Sequence, residues 1–170
     1  MTIVVDSLQT HWNQTQNYKA EFKQVVYSKK LHTKDETIGT IFVLKPGKIR
    51  WEVPSQKTTV VDIYKDVSKS IDLKSLAFLA GNALFKETYT SVLGAEGPET
   101  IELKLISKAT PSESYLAEID KKSYFLRALT TETADSKVRI DFLKTEINIQ
   151  IGESLFEYRP KPKDVVHENP

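Results

Sequence analysis

A strict alternation of polar and apolar residues over positions 48–53 is the feature that most restricts the fold of this chain. Successive side chains of a β-strand point to opposite faces, so this segment presents one apolar and one polar face. The apolar positions are Ile49, Trp51 and Val53, and the polar positions are Lys48, Arg50 and Glu52. The same period of two runs from Lys19 to Val26. These patterns predict half-exposed strands of an antiparallel sheet.

Most of the remaining chain has the composition of short strands separated by turn residues. The polar run at residues 28–37 is interpreted as a loop or hairpin, and Pro46-Gly47 as a turn. Further strands are predicted at residues 38–44, 58–64, 67–71, 88–93, 100–107, 115–120, 123–131, 137–143 and 147–149. Consecutive short strands with tight connections predict an antiparallel meander.

Two segments have helical spacing instead. Val5, Leu8 and Trp12 predict an amphipathic N-terminal helix at about residues 3–16. A second helix, at about residues 73–85, is apolar on most sides, although Gly81 weakens its middle. The predicted fold class is therefore α+β, mainly β: a strongly curved antiparallel sheet roofed by a lid of short α-helices. The pattern alone favours a filled core and leaves open a cavity under the lid.

Length and charge exclude several classes of protein. The chain has 170 residues, 39% of them hydrophobic, and 24 Lys and Arg against 23 Asp and Glu give a net charge of +1. One domain over residues 1–170 is expected, and the even charge balance argues against a nucleic-acid binder. No apolar stretch approaches the roughly 20 residues of a membrane span. The first residues do not have the pattern of a signal peptide, and Met1 is compatible with a start placed where a leader was removed.

No arrangement of residues indicates catalysis. The chain has no cysteine, and its histidines His11, His32 and His167 occupy unrelated segments, where they are expected to be exposed polar residues, so no metal site or thiol nucleophile is predicted. A phosphate-binding glycine loop and a nucleophile elbow are also absent from the sequence. The carboxylates alternate with lysines on the polar faces of strands. We therefore predict a protein that is not an enzyme and needs no cofactor, the alternative being a hydrolase with an unrecognised pair of carboxylates.

Four segments in order resemble the LolA family of outer-membrane lipoprotein carrier proteins. They are Ala20-x-Phe22-x-Gln24, Gly39-Thr40, the run KPGKIRWE from Lys45, and the closing run FEYRPKPKDV from Phe156. The resemblance implies an incomplete antiparallel β-barrel closed by a helical lid, with a hydrophobic cavity for the acyl chains of a lipoprotein. It also implies a monomeric periplasmic chaperone that accepts lipoproteins from an inner-membrane ABC transporter and delivers them to an outer-membrane receptor, where one exists.

By position, the resemblance assigns eight residues to the acyl cavity. They are Phe22, Ile41, Val43, Ile49, Trp51 and Val53 on the sheet, with Leu76 and Leu79 in the lid. Ile49 corresponds to an apolar family position near the mouth that is tied to docking on the transporter. Ordinary core residues remain the alternative interpretation for this set.

Well-known family members carry an arginine before the proline of the turn, where it holds the lid of the empty form shut. Lys45 occupies that position here. Lysine can donate to lid carbonyls but lacks the planar fork of arginine, so a looser latch is expected. The predicted lid partners are Trp12, Leu79 and Ala80, and Arg50 is a rival latch.

The chain also departs from the family between Val61 and Ser75, where members usually carry an Asp-Gly turn and a further strand segment. Either the loops here are short, or residues are missing from this part. The alternative function is a LolA-like binding protein for another lipid or amphiphile, or a sensor. The sequence does not reveal the cavity volume or which lipoproteins are carried.

Overall fold

The computed structural model describes residues 2–54, 58–62 and 85–157. Helix α1 (Thr2–Gln14) precedes four strands, β1 (Asn17–Ser28), β2 (Thr33–Leu44), β3 (Lys48–Glu52) and β4 (Thr59–Asp62). The second described part contains helix α2 (Phe85–Thr88), strands β5 (Tyr89–Glu96), β6 (Thr100–Ser107), β7 (Ser114–Asp120), β8 (Leu126–Glu132) and β9 (Ser136–Ile147), and a 3-10 helix (Glu153–Phe156).

Within these ranges the strands form one antiparallel sheet in the order β4-β3-β2-β1-β9-β8-β7-β6-β5. Two meanders, β1 to β4 and β5 to β9, are joined where β9 pairs with β1 along nearly its whole length. The expected mainly-β class with a curved antiparallel sheet is confirmed. The sheet is open rather than a closed barrel in the part of the chain that the structure describes, since β4 and β5 end the strand order.

The N-terminal helix is present, whereas most of the expected lid is outside the described ranges. Helix α1 differs from the predicted 3–16 by one or two residues at its ends. The predicted strand at 67–71 and lid helix at 73–85 fall on residues that are not described, except for Phe85, the first residue of α2.

Three strand boundaries were predicted wrongly. Residues 28–37 are mostly strand, because β1 and β2 pair in register up to Ser28 and Thr33. Of the separate strand predicted at 147–149, only Ile147 is in a strand, as the last residue of β9, and β5 continues through Gly94 to Glu96. Backbone hydrogen bonds to neighbouring strands stabilise these polar segments as strands, which composition does not reveal.

The core lies between α1 and one face of the sheet. Val5, Leu8 and Trp12, the residues that predicted α1, are at most 3% exposed. The Trp12 ring lies 6.2 Å from the Tyr18 ring and 6.1 Å from the Phe125 ring, centroid to centroid. These aromatic contacts fix α1 over the start of β1 and the loop before β8.

The opposite face is polar. Arg139 donates two hydrogen bonds to the Glu118 carboxylate and also pairs with Asp141 at 2.8 Å. The contact with Glu118 links β9 to β7 across β8. The hydrogen bonds to Glu118 and Asp141 raise the pKa of Arg139. Among the described residues no helix is long and apolar enough to cross a membrane.

Gly39 provides the sharpest test of the packing. A Cβ at this position would stand 2.1 Å from the Glu52 carbonyl oxygen and 2.8 Å from the Phe22 ring. The Glu52 backbone cannot move away without a cost in free energy. We therefore expect Gly39→Ala to lower the free energy of unfolding by about 2–3 kcal/mol, measured by urea denaturation. Gly152→Ala is the matched control, since its nearest atom would be 3.6 Å away. Equal stability of the two variants would contradict the described contact.

Candidate functional site

The six sheet residues assigned to the cavity lie together on the face of the sheet that carries the buried cluster. Ile41 pairs with Trp51, Val43 with Ile49, and Phe22 lies opposite Gly39. Ile41, Val43, Phe22 and Ile49 are at most 1% exposed, and Val53 is also buried. Trp51 is half-buried, with its ring centroid 3.8 Å from that of Phe22. We call this set, Phe22, Ile41, Val43, Ile49, Trp51 and Val53, the apolar wall. Its role in binding acyl chains stays a prediction.

The protein's own helix packs into the same buried cluster as the apolar wall. Val5, Leu8 and Trp12 belong to the same buried cluster as the wall residues. The recess beside Trp12, lined also by Tyr18, Phe125, Leu126 and Phe142, has an internal volume of about 0 Å³. Small-molecule sites usually measure roughly 300–1,000 Å³. At this recess, therefore, space for an acyl chain requires α1 to move away.

Lys45 reaches the last turn of α1 from the turn between β2 and β3. Its Nζ donates a hydrogen bond to the Trp12 carbonyl oxygen and lies 4.5 Å from the centroid of the indole ring. Gly47, with a φ of 78°, allows this turn, in which the Lys45–Pro46 peptide bond is cis. Burial lowers the pKa of the Lys45 ammonium to about 8. This geometry suits a latch on α1, a role that stays a prediction, and the other predicted partners, Leu79 and Ala80, lie outside the described residues, as does Leu76.

Arg50, the rival latch, lies on the other face of β3. Its Nε donates to the Glu52 carboxylate at 2.6 Å and its Nη1 to the Leu155 carbonyl oxygen at 3.0 Å. These described contacts tie β3 to the 3-10 helix, on the side away from Ile49. Alternation along the strand predicted this orientation.

Sequence reasoning missed several contacts that hold α1. Asp6 pairs with Lys86 at 2.5 Å, and the Gln9 side-chain oxygen accepts the Phe85 N–H at 2.7 Å, so α1 is joined to α2. The Asn148 side chain bonds to the backbone on both sides of the end of α1. The separation of these partners in the chain, by 76 to 134 residues, leaves no local signal.

His11 also differs from the exposed polar residue expected of it. It is half-buried and stacks on Tyr124, with 5.0 Å between ring centroids. Its Nδ1 lies 2.8 Å from the Ser7 carbonyl oxygen. His32 is exposed as expected, and His167 is outside the described residues.

Comparison with known proteins points to one family. The model of the outer membrane lipoprotein carrier protein LolA matches residues 13–69, which contain all six wall residues and Lys45. An outer-membrane lipoprotein carrier protein of Dechloromonas aromatica (strain RCB) is 26% identical over 182 residues, covering 96% of this chain and 88% of that protein. The resemblance to the LolA family is confirmed.

A solved structure is similar in fold as well. An uncharacterized conserved protein from Thermus thermophilus has a TM-score of 0.55 and 11% identity, and the match covers 97% of each chain. A LolA superfamily protein from Nitrosomonas europaea matches 92% of this chain and 97% of its own, with 6% identity and a TM-score of 0.40. At these identities the likeness to the Thermus protein concerns the fold alone.

The lowered pKa of Lys45 predicts a specific pH dependence of stability. The folded protein releases this proton near pH 8, whereas the unfolded chain keeps it until about the ordinary value of 10.5. Because the unfolded state binds more protons between these values, the free energy of unfolding rises with pH there. We expect wild type to gain stability relative to Lys45→Met from pH 8 to pH 10.5, measured by urea denaturation. A pH-independent difference between the two proteins would contradict this.

Proposed function

We propose that this protein is a non-enzymatic carrier that shields the acyl chains of lipoproteins against its apolar wall. The observation that carries the proposal is the burial of the wall residues in one cluster with the apolar face of the amphipathic helix α1. A helix packed on a sheet is displaced more easily than a filled core, because it can move as a unit. Residues 1–170 would form this carrier as one domain.

The energetics favour such a covered wall. Burying a methylene group contributes about 0.8 kcal/mol, so a chain of about 16 carbons left in water costs on the order of 12 kcal/mol. Uncovering Val5, Leu8 and Trp12 costs roughly 1.5–3 kcal/mol for each side chain. This cost is subtracted from the binding of the acyl chain. The cargo is therefore shielded in transit and still releasable at its destination.

The proposed route is periplasmic. A monomeric carrier would take lipoproteins from an inner-membrane ABC transporter and release them to an outer-membrane receptor where one exists. Ile49, the proposed docking residue, is 1% exposed in this state. Contact between Ile49 and a transporter therefore requires the packing around Ile49 to open, which would couple docking to opening of the apolar wall.

Cargo capture is the direct test of the function. Incubated with inner-membrane vesicles that hold an acylated lipoprotein and its transporter, the protein should yield a soluble one-to-one complex, measured by size-exclusion chromatography. The same lipoprotein without its acyl chains is the matched control and should not be captured. Retention of the lipoprotein by the vesicles, with uptake of free lipid instead, would favour the alternative of a carrier or sensor of another amphiphile.

The proposed latch is tested separately. Lys45→Leu removes the donor to the Trp12 carbonyl, so we expect a larger open fraction and about tenfold tighter binding of an environment-sensitive apolar dye. Lys48→Leu is the matched control, because the Lys48 ammonium pairs instead with Glu153, at 3.2 Å. An unchanged dye titration for Lys45→Leu would remove Lys45 from the role of latch.

A further inference from the structure

The end of α1 is held by hydrogen bonds from two distant segments of the chain. The last carbonyls of a helix have no partner within it. Here the Trp12 carbonyl accepts from Lys45 Nζ, and the Gln14 carbonyl accepts from Asn148 Nδ2 at 3.1 Å. Beyond the helix, the Gln16 carbonyl accepts the Lys45 N–H at 2.9 Å. The β2–β3 turn and the residue after β9 thus hold α1 from both sides of β1.

Asn148 makes the contacts that set the direction of α1. Its Oδ1 accepts the Gln16 N–H at 2.7 Å while its Nδ2 bonds to Gln14, so one side chain spans the change from helix to strand. Its backbone N–H donates to the Asn17 carbonyl at 2.8 Å. With a φ of 51°, Asn148 is in the left-handed conformation that asparagine tolerates better than most residues.

We infer that Asn148 is a positioning residue for α1: its side chain holds the helix against the buried cluster that includes the wall residues, and so sets how often that cluster opens. Both side-chain bonds need Gln14 and Gln16 where the docked helix places them, and they are lost when that turn moves. The described hydrogen bonds of Asn148 go to none of the wall residues, so its effect on cargo passes through α1. The inference deepens the proposed function and rests on it only for the identity of the cargo.

The variant Asn148→Gly isolates this effect. Glycine adopts a φ of 51° without strain, so the backbone turn is kept while both side-chain bonds are lost. Lys144→Gly is the matched control, since Lys144 also has a positive φ, 46°, in β9. The Lys144 side chain pairs with Glu21 at 3.0 Å, on the outer face and away from α1.

Amide hydrogen exchange of the protein without cargo measures how often α1 leaves the sheet. An undocked helix of 13 residues is marginal in water, so the amides of α1 exchange when it leaves the sheet. We expect Asn148→Gly to speed their exchange about tenfold, with β6 and β7 unchanged, whereas Lys144→Gly leaves α1 unchanged.

Two results would overturn the inference: exchange in α1 at the wild-type rate, or equal acceleration in α1, β6 and β7, which means a general loss of stability. Palmitate binding is measured in parallel and should tighten in Asn148→Gly by the same factor. Faster exchange confined to α1, without any binding of palmitate or lipoprotein, would support the positioning role and reject the carrier function.

Discussion

Packing of Trp12 against the concave side of the sheet is the interaction on which the rest of the structure depends. The indole meets Tyr18 at the start of β1, Phe125 before β8, and Phe85 at the start of α2, with ring centroids 6.1 to 6.2 Å apart. One side chain therefore joins α1 to both meanders. An open sheet with one apolar face needs such a cover, and the same contact must break before anything else can occupy that face.

The strands were predictable wherever one face is buried. Alternation at residues 48–53 correctly placed Ile49 inward and Arg50 outward, because burial of one face imposes a period of two on the sequence. It failed near the hairpin, where the first residues of β2, at 33–37, are polar on both faces. There the strands are maintained by hydrogen bonding between β1 and both of its neighbours, β2 and β9, and the partner β9 is more than 100 residues away.

The residues of the candidate site also differ in how far the sequence predicted them. The wall residues were found because they are apolar, alternate, and lie in or beside the motifs that resemble the LolA family, within the stretch that the family model matches. The contacts that hold α1 were harder to predict. Lys45 was found by its position in the family motif, but nothing local distinguishes Asn148 from any polar residue that ends a strand. Its importance follows from the fold, which brings it within 2.7 Å of Gln16.

The two tryptophans of the chain lie in separate aromatic contacts, Trp12 of α1 with Tyr18, Phe85 and Phe125, and Trp51 of β3 with Phe22. Indole emission shifts to longer wavelength when the ring meets water. In variants that keep only one tryptophan, the emission wavelength would therefore report on one environment at a time: that of α1 through Trp12, or that of the apolar wall through Trp51. Intrinsic fluorescence can thus distinguish movement of the helix from a change at the wall, without an added label.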